Sequence, residues 1–166
     1  MDTILTRHPP AGVSPPRYGC FAAGWPLLLP HLSPSELRHA PKLYRQPHSS
    51  PLFPGLIEHQ GQAIPVFDLR PALQESTTKA SECIEQCAWV LLFDQGQQAF
   101  GLVLDAIPIA VAELQPARFP KKLPPLLRHC MRASFSEADQ YWLAIDPSKL
   151  GQQLLRAAVL LRPSRH

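Results

Sequence analysis

Hydrophobic positions along this chain come in short runs, each closed by Gly, Pro, Asp or a polar pair, and they seldom follow the spacing of a helix. Tyr18–Pro30 (YGCFAAGWPLLLP) reads as two strands about Ala23-Gly24, with Gly24 free to make the turn. Ser33-Pro34-Ser35-Glu36 predicts a brief helical turn, capped by Ser33 with Pro34 at its first position. Pro41, Pro47, Pro51 and Pro54 make 40–54 an extended connector. In Gly55–Leu73 the runs Leu56-Ile57 and Ala63–Leu69 flank Gln60-Gly61, a hairpin whose Gly61 accepts a positive φ. Pro65 lies inside the second run and has no N–H for a ladder, so an edge or bulge is expected there.

A polar stretch, 74–86 (QESTTKASECIEQ), separates this block from a second one and reads as linker, loop or short helix. Cys87–Phe93, a turn at Asp94–Gln97 and Ala99–Leu104 form another hairpin, and Ile107–Leu114 a further strand around Pro108. Residues 115–130 read as a proline-rich loop ending in a helical turn at Leu126–Cys130. An acidic turn, Ser136–Gln140, precedes the strand Tyr141–Ile145. Leucines at 150, 154, 155, 160 and 161 predict a helix over Lys149–Leu161, weakened at its start by Gly151. Two hairpin blocks about a polar break predict an all-β chain of small barrels or a sandwich. The expected organisation is a flexible Pro-rich leader at 1–17, one domain at 18–155 with sub-barrels near 18–73 and 87–150, and a basic tail at 156–166.

Composition sharpens this picture in three places. Twenty prolines in 166 residues disfavour long helices, since ordinary chains hold about 5%. The net charge of +3 is uneven: 118–166 hold nine Lys/Arg and three acids, 46–117 two Lys/Arg and eight acids. The basic third makes a small nucleic-acid-binding barrel the alternative reading, against the plainer one of a solvated face and tail. Cys20, Cys83, Cys87 and Cys130 contain no CxxC pair, so free thiols in a reducing cytosol are expected rather than zinc. The apolar run Cys20–Pro30 is too short to span a bilayer and no secretory pattern opens the chain, so a soluble cytoplasmic protein is expected.

Catalytic signatures are missing: no phosphate loop, GxGxxG, nucleophile elbow or HExxH is present, and no histidine has a ligand or triad spacing. Glu58 and His59 are strand neighbours and point to opposite faces, which argues against joint chemistry. Asp68, Asp105 and Asp146 each end an apolar run and read as structural stops that accept backbone N–H groups. Trp25, Trp89 and Trp142 fall in strands and are core candidates. No catalytic residue, metal or cofactor is expected, and the protein is read as a non-enzyme.

The ordered pieces Leu28-Leu29-Pro30, Ser35-Glu36-Leu37, Pro51–Leu56 (PLFPGL), Gly61, Ile64-Pro65-Val66, Asp68-Leu69-Arg70, Gly101–Ile107 (GLVLDAI) and Trp142–Leu150 (WLAIDPSKL) resemble the CheW-like family. The resemblance implies two intertwined five-stranded SH3-like barrels with short helical segments. It also implies a chemotaxis scaffold that binds the regulatory domain of a CheA-type histidine kinase and the cytoplasmic tip of a methyl-accepting chemoreceptor. The receptor's helical hairpin would dock between the barrels. The proline-rich connector and Ser35-Glu36-Leu37 look closer to pilus-type systems, hence to twitching motility. By family position the partner-binding candidates are Leu29, Glu36, Leu37, Leu56, Ile57, Glu58, Gln60, Val103 and Leu104. Gly55, Gly61, Pro65, Asp68, Leu69, Arg70, Gly101 and Asp105 are the structural motif positions. One departure stands out: Glu58-His59-Gln60 replaces the family's usual Asn-Leu-Arg before Gly61, which removes an arginine and changes the local charge.

Overall fold

A computed structural model describes residues 17–31, 35–47, 50–73, 89–94 and 98–160. The leader up to residue 16, the Ser33 cap, the polar break, Cys83, Cys87, residues 95–97 of the expected turn and the tail from 161 lie outside the described residues.

The first hairpin pairs β1 (Arg17–Ala22) with β2 (Trp25–Leu28). Its turn residues, Ala23 at φ 50° and Gly24 at φ 78°, are both left-handed, the twist that closes a two-residue hairpin. The helical turn expected to include Ser35 and Glu36 is instead the start of a strand, β3 (Ser35–His39). It pairs residue for residue with β6 (Trp89–Phe93), from Ser35↔Phe93 to His39↔Trp89. A lone helical turn closes few backbone hydrogen bonds, whereas the ladder bonds alternate residues of β3 to β6 and adds cross-strand side-chain contacts, so long-range pairing wins over the local cap.

The second hairpin joins β4 (Gly55–His59) to β5 (Gln62–Phe67) through Gln60 and Gly61, at φ 50° and 77°. Pro65 sits opposite Leu56 in it. Leu56 directs both its N–H and its carbonyl away from β5, to Tyr44, at 2.9 and 2.8 Å. The Leu56–Pro65 pair is therefore a non-hydrogen-bonded rung, and β7 joins β5 only from Val66 on, so the missing N–H is asked for by neither neighbour. A short helix, α1 (Arg70–Leu73), follows.

In the second half β7 (Phe100–Leu104) returns along β6, and β8 (Ile109–Val111) and the two-residue β9 (Gln115–Pro116) lead to α2 (Pro125–Cys130). A strand that the hydrophobic pattern does not reveal comes next: β10 (Met131–Glu137) pairs with β11 (Gln140–Ile145), and the turn shrinks to Ala138 and Asp139. The last helix, α3 (Pro147–Leu160), begins two residues earlier than its leucines indicate, because Asp146 caps it. It carries 156–160, assigned above to the tail, as helix. Gly151 is where α3 approaches the sheet: a Cβ there would lie 2.9 Å from the Phe100 ring.

The strands form two curled sheets, ordered β8-β1-β2-β11-β10-β9 and β3-β6-β7-β5-β4. Each contains one parallel pair, β2 with β11 and β5 with β7. The barrels do not divide at 73–87 as expected. The chain starts one barrel, builds the other completely, and returns to finish the first, which is what intertwines them. Arg38 of β3 reaches the carbonyl of Glu58 on β4 at 2.7 Å, so the two end strands of the five-stranded sheet meet and the sheet closes.

Three buried clusters follow from this layout. Leu28, Val111, Trp142 and Ala144 pack within the first barrel. Ile57, Ile64, Val66, Val90, Leu92 and Val103 pack within the second. The largest cluster lies between the barrels, where Leu27, Leu29, Leu143 and Ile145 meet Phe67, Phe93, Phe100 and Leu102, closed over by Leu127, Leu150 and Leu154 of the helices. Phe93, Phe100 and Phe67 form an aromatic chain there, with centroids 4.9 and 6.3 Å apart.

Candidate interaction surfaces

The three strand-ending aspartates tie elements together. Asp105 accepts the N–H groups of Ala23 and Gly24 at 3.2 and 2.7 Å, and its own N–H goes to the Phe21 carbonyl. It thereby pins the first hairpin of one barrel to the end of β7 in the other. Asp68 takes the Arg70 N–H at 3.0 Å and holds the Arg70 guanidinium through both carboxylate oxygens. Asp146 accepts Ser148 and Lys149 N–H groups at the start of α3 and Arg132 Nη2 at 2.7 Å. Burial works against the Asp146 charge, but the hydrogen bonds and charge from Arg132, with the Lys149 and Ser148 amides, outweigh it and hold the carboxyl below the ordinary range. A depressed folded-state value contributes stability above the unfolded pKa that is lost as pH falls through the folded one. Asp146→Asn keeps a capping oxygen but loses the charge facing Arg132 and the helix N-terminus, and should cost about 0.5–1 kcal/mol at pH 7. The difference should shrink below about pH 4, where the unfolded aspartate titrates, as read by urea midpoints across the acid range.

Of the four cysteines, Cys20 and Cys130 fall among the described residues, and both are free and buried. Burial, then the Asp105 charge, pushes the Cys20 thiol up to about 12. Burial and Asp146, partly offset by Lys149, push Cys130 up to about 11. Both stay protonated and unreactive at neutral pH. Among the described residues no three His, Cys, Asp or Glu side chains converge as metal ligands would.

The partner candidates divide by burial. Ile57, Val103, Leu104 and Leu29 are buried core residues that shape the surface from beneath. Leu37 and Leu56 are half-buried, while Glu36, Glu58 and Gln60 are exposed along β3, β4 and the second hairpin turn. Among the motif positions, Gly55 is forced small by the Tyr44 carbonyl, which would sit 2.7 Å from a Cβ, and Gly101 by Val90, Val66 and Leu92 inside the barrel. Leu69 is wholly buried.

A second surface lies where no candidate was placed. Ile107 and Ile109 are 53% and 49% exposed at the edge strand β8, and Tyr18 is exposed on the neighbouring β1. The pairs Gly19↔Ile109 and Tyr18↔Ala110 put Ile109 and Tyr18 on opposite faces of the sheet. Elsewhere, Arg118, Lys121, Lys122 and Arg128 are exposed around an exposed Phe119, with no acid between residues 118 and 132. No helix among the described residues is long and apolar enough to cross a membrane.

Against known proteins, the family model described as the CheW-like domain matches residues 25–154. The fold is similar to the crystal structure of the scaffolding protein TtCheW from Thermoanaerobacter tengcongensis, with a TM-score of 0.57 and 18% identity over 80% of this chain and 90% of that one. No curated protein matches the sequence.

Proposed function

Because this chain belongs to the CheW-like domain family, we propose that it is a non-enzymatic, cytoplasmic coupling adaptor of a chemosensory system. It would join the regulatory domain of a CheA-type histidine kinase to the cytoplasmic tip of a methyl-accepting chemoreceptor, with a pilus-type output. The observation that carries this reading is the family match, which runs through both barrels from β2 to α3. Two separate surfaces suit two partners. Glu58 and half-buried Leu56, which share the outer side of β4, with Gln60 at the turn and exposed Glu36 on the adjoining β3, are the proposed kinase side, while Leu37 packs on the core between the barrels. The β8 edge, with exposed Ile109 and the preceding Ile107, offers apolar anchors to a helical receptor hairpin.

Co-purification of the full chain with each partner tests this. Binding to both, at concentrations up to roughly tens of micromolar, is expected; binding to neither removes the reading. The basic stretch around Phe119 gives the nucleic-acid alternative its one specific observation. That alternative requires a salt-sensitive shift with oligonucleotides, and none is expected.

A further inference from the structure

His59 is 7% exposed, on the last rung of β4 beside the hairpin turn, where the barrel seam between β3 and β4 closes. Its surroundings are charged on every side. From β3, Arg38 Nη2 lies 2.6 Å from His59 Nδ1, and Glu36 Oε2 lies 3.8 Å from the same nitrogen. From the end of β6, Asp94 Oδ2 lies 3.8 Å from Nε2. Glu58, the neighbour on β4, points outward and contributes its carbonyl to Arg38 Nη1 at 2.7 Å. Gln62, across the hairpin, is neutral, and Gln95, Gly96 and Gln97, next to Asp94 in sequence, carry no titratable group.

A guanidinium only donates, so the 2.6 Å contact requires a lone pair on Nδ1 and a proton on Nε2. We propose that His59 is a proton-controlled latch on the seam of the five-stranded barrel: neutral, it accepts Arg38 and holds β3 to β4; protonated, it expels Arg38 and loosens the seam. A proton added at Nδ1 would face an Arg38 N–H with no acceptor between them, and would set two cations side by side. The protonated ring has carboxylates close to both nitrogens, because Glu36 and Asp94 need approach by only about one ångström to form charge-assisted bonds. Arg38 keeps an anchor as it leaves, since its Nε already donates to Glu36 Oε1 at 2.9 Å. What it gives up is the Glu58 carbonyl, the contact that joins the two end strands. The seam thus has two complete sets of partners, one for each protonation state of the ring.

This inference does not rest on the adaptor reading, and its test needs no partner. Nitrogen-resolved NMR of the full chain from pH 8 to pH 5.5 should show the Nε2–H tautomer of His59 at the upper end. On protonation, the Arg38 Nη protons should lose protection by at least about tenfold relative to His59→Gln at the same pH, the worth of one charged hydrogen bond. In that variant a side-chain amide oxygen can still accept Arg38 but cannot titrate, and the comparison cancels the intrinsic pH dependence of exchange. Arg38→Gln, which removes the opposing cation, should make His59 protonate at higher pH. An Nδ1–H tautomer at pH 8 would overturn the latch. So would Arg38 protection that moves in parallel in wild type and His59→Gln, or a titration of His59 untouched by Arg38→Gln.

Discussion

Gly19→Ala is expected to destabilise the domain by about 3 kcal/mol, the upper part of the usual overpacking range. A Cβ on Gly19 would lie 2.4, 2.6 and 2.8 Å from three ring carbons of Trp142. Neither side can yield cheaply. Gly19 is held in β1 by Leu28 of β2 on one flank and Ile109 of β8 on the other, so moving its backbone disturbs two ladders. Trp142 is 1% exposed, packs at 5.3 Å on Phe21, and fills the first barrel with Leu28, Val111 and Ala144. The wide indole takes the space that a side chain at position 19 would occupy. Trp142→Phe should cost stability alone but rescue Gly19→Ala, making the double variant more stable than the sum of the singles by at least about 1 kcal/mol. Guanidinium unfolding of the four proteins measures this coupling, and additive costs would mean that the ring and residue 19 do not compete for space.

The sequence made some of this structure legible and concealed the rest for identifiable reasons. Gly24 and Gly61 stand between apolar runs, and both turned out to hold the positive φ of a two-residue hairpin. Such turns are local, so their residues announce them. β10 announced nothing: in MRASFSE only Ser134 is buried, and a bulge between Met131 and Ala133 breaks the alternation. β3 was hidden by a plausible helix start, because its partner β6 lies 50 to 58 residues on in the chain.

The surfaces fared similarly. β7 is buried along its whole length, so alternation cannot separate an outward from an inward side, and Val103 and Leu104 looked available when they are core. In β8 the run IPIAV was visible as a strand, but only the fold makes it an edge. The stop role of the aspartates was readable from their places after apolar runs, yet Asp105 serves amides 82 and 81 positions away. Glu58 and His59 do part to opposite faces, outward and inward, as strand neighbours must. The polar cluster around His59 depends on Arg38, 21 residues earlier, and no spacing rule connects them.

On the proposed adaptor reading, Ile109→Asp is the surface change with the largest expected effect. Ile109 is half exposed on a strand that only β1 flanks, so aspartate there keeps access to water in the free protein and should cost about 1–2 kcal/mol of stability, from the buried half of the side chain and the poor strand propensity of Asp. In the complex the same position would lie beneath an apolar helix. The change then removes an aliphatic contact and buries a carboxylate without a partner, together worth about 3 kcal/mol or more. Receptor-tip affinity should fall by roughly a hundredfold, while kinase binding, assigned to the β3–β4 face, stays unchanged. Ile107→Asp should act in the same direction, and Glu58→Lys should show the reverse pattern, weakening the kinase and sparing the receptor. Calorimetry of each variant against each partner separates the surfaces. Equal losses for both partners would mean that they share one face of this protein, and an unchanged receptor affinity in Ile109→Asp would move the docking site away from β8.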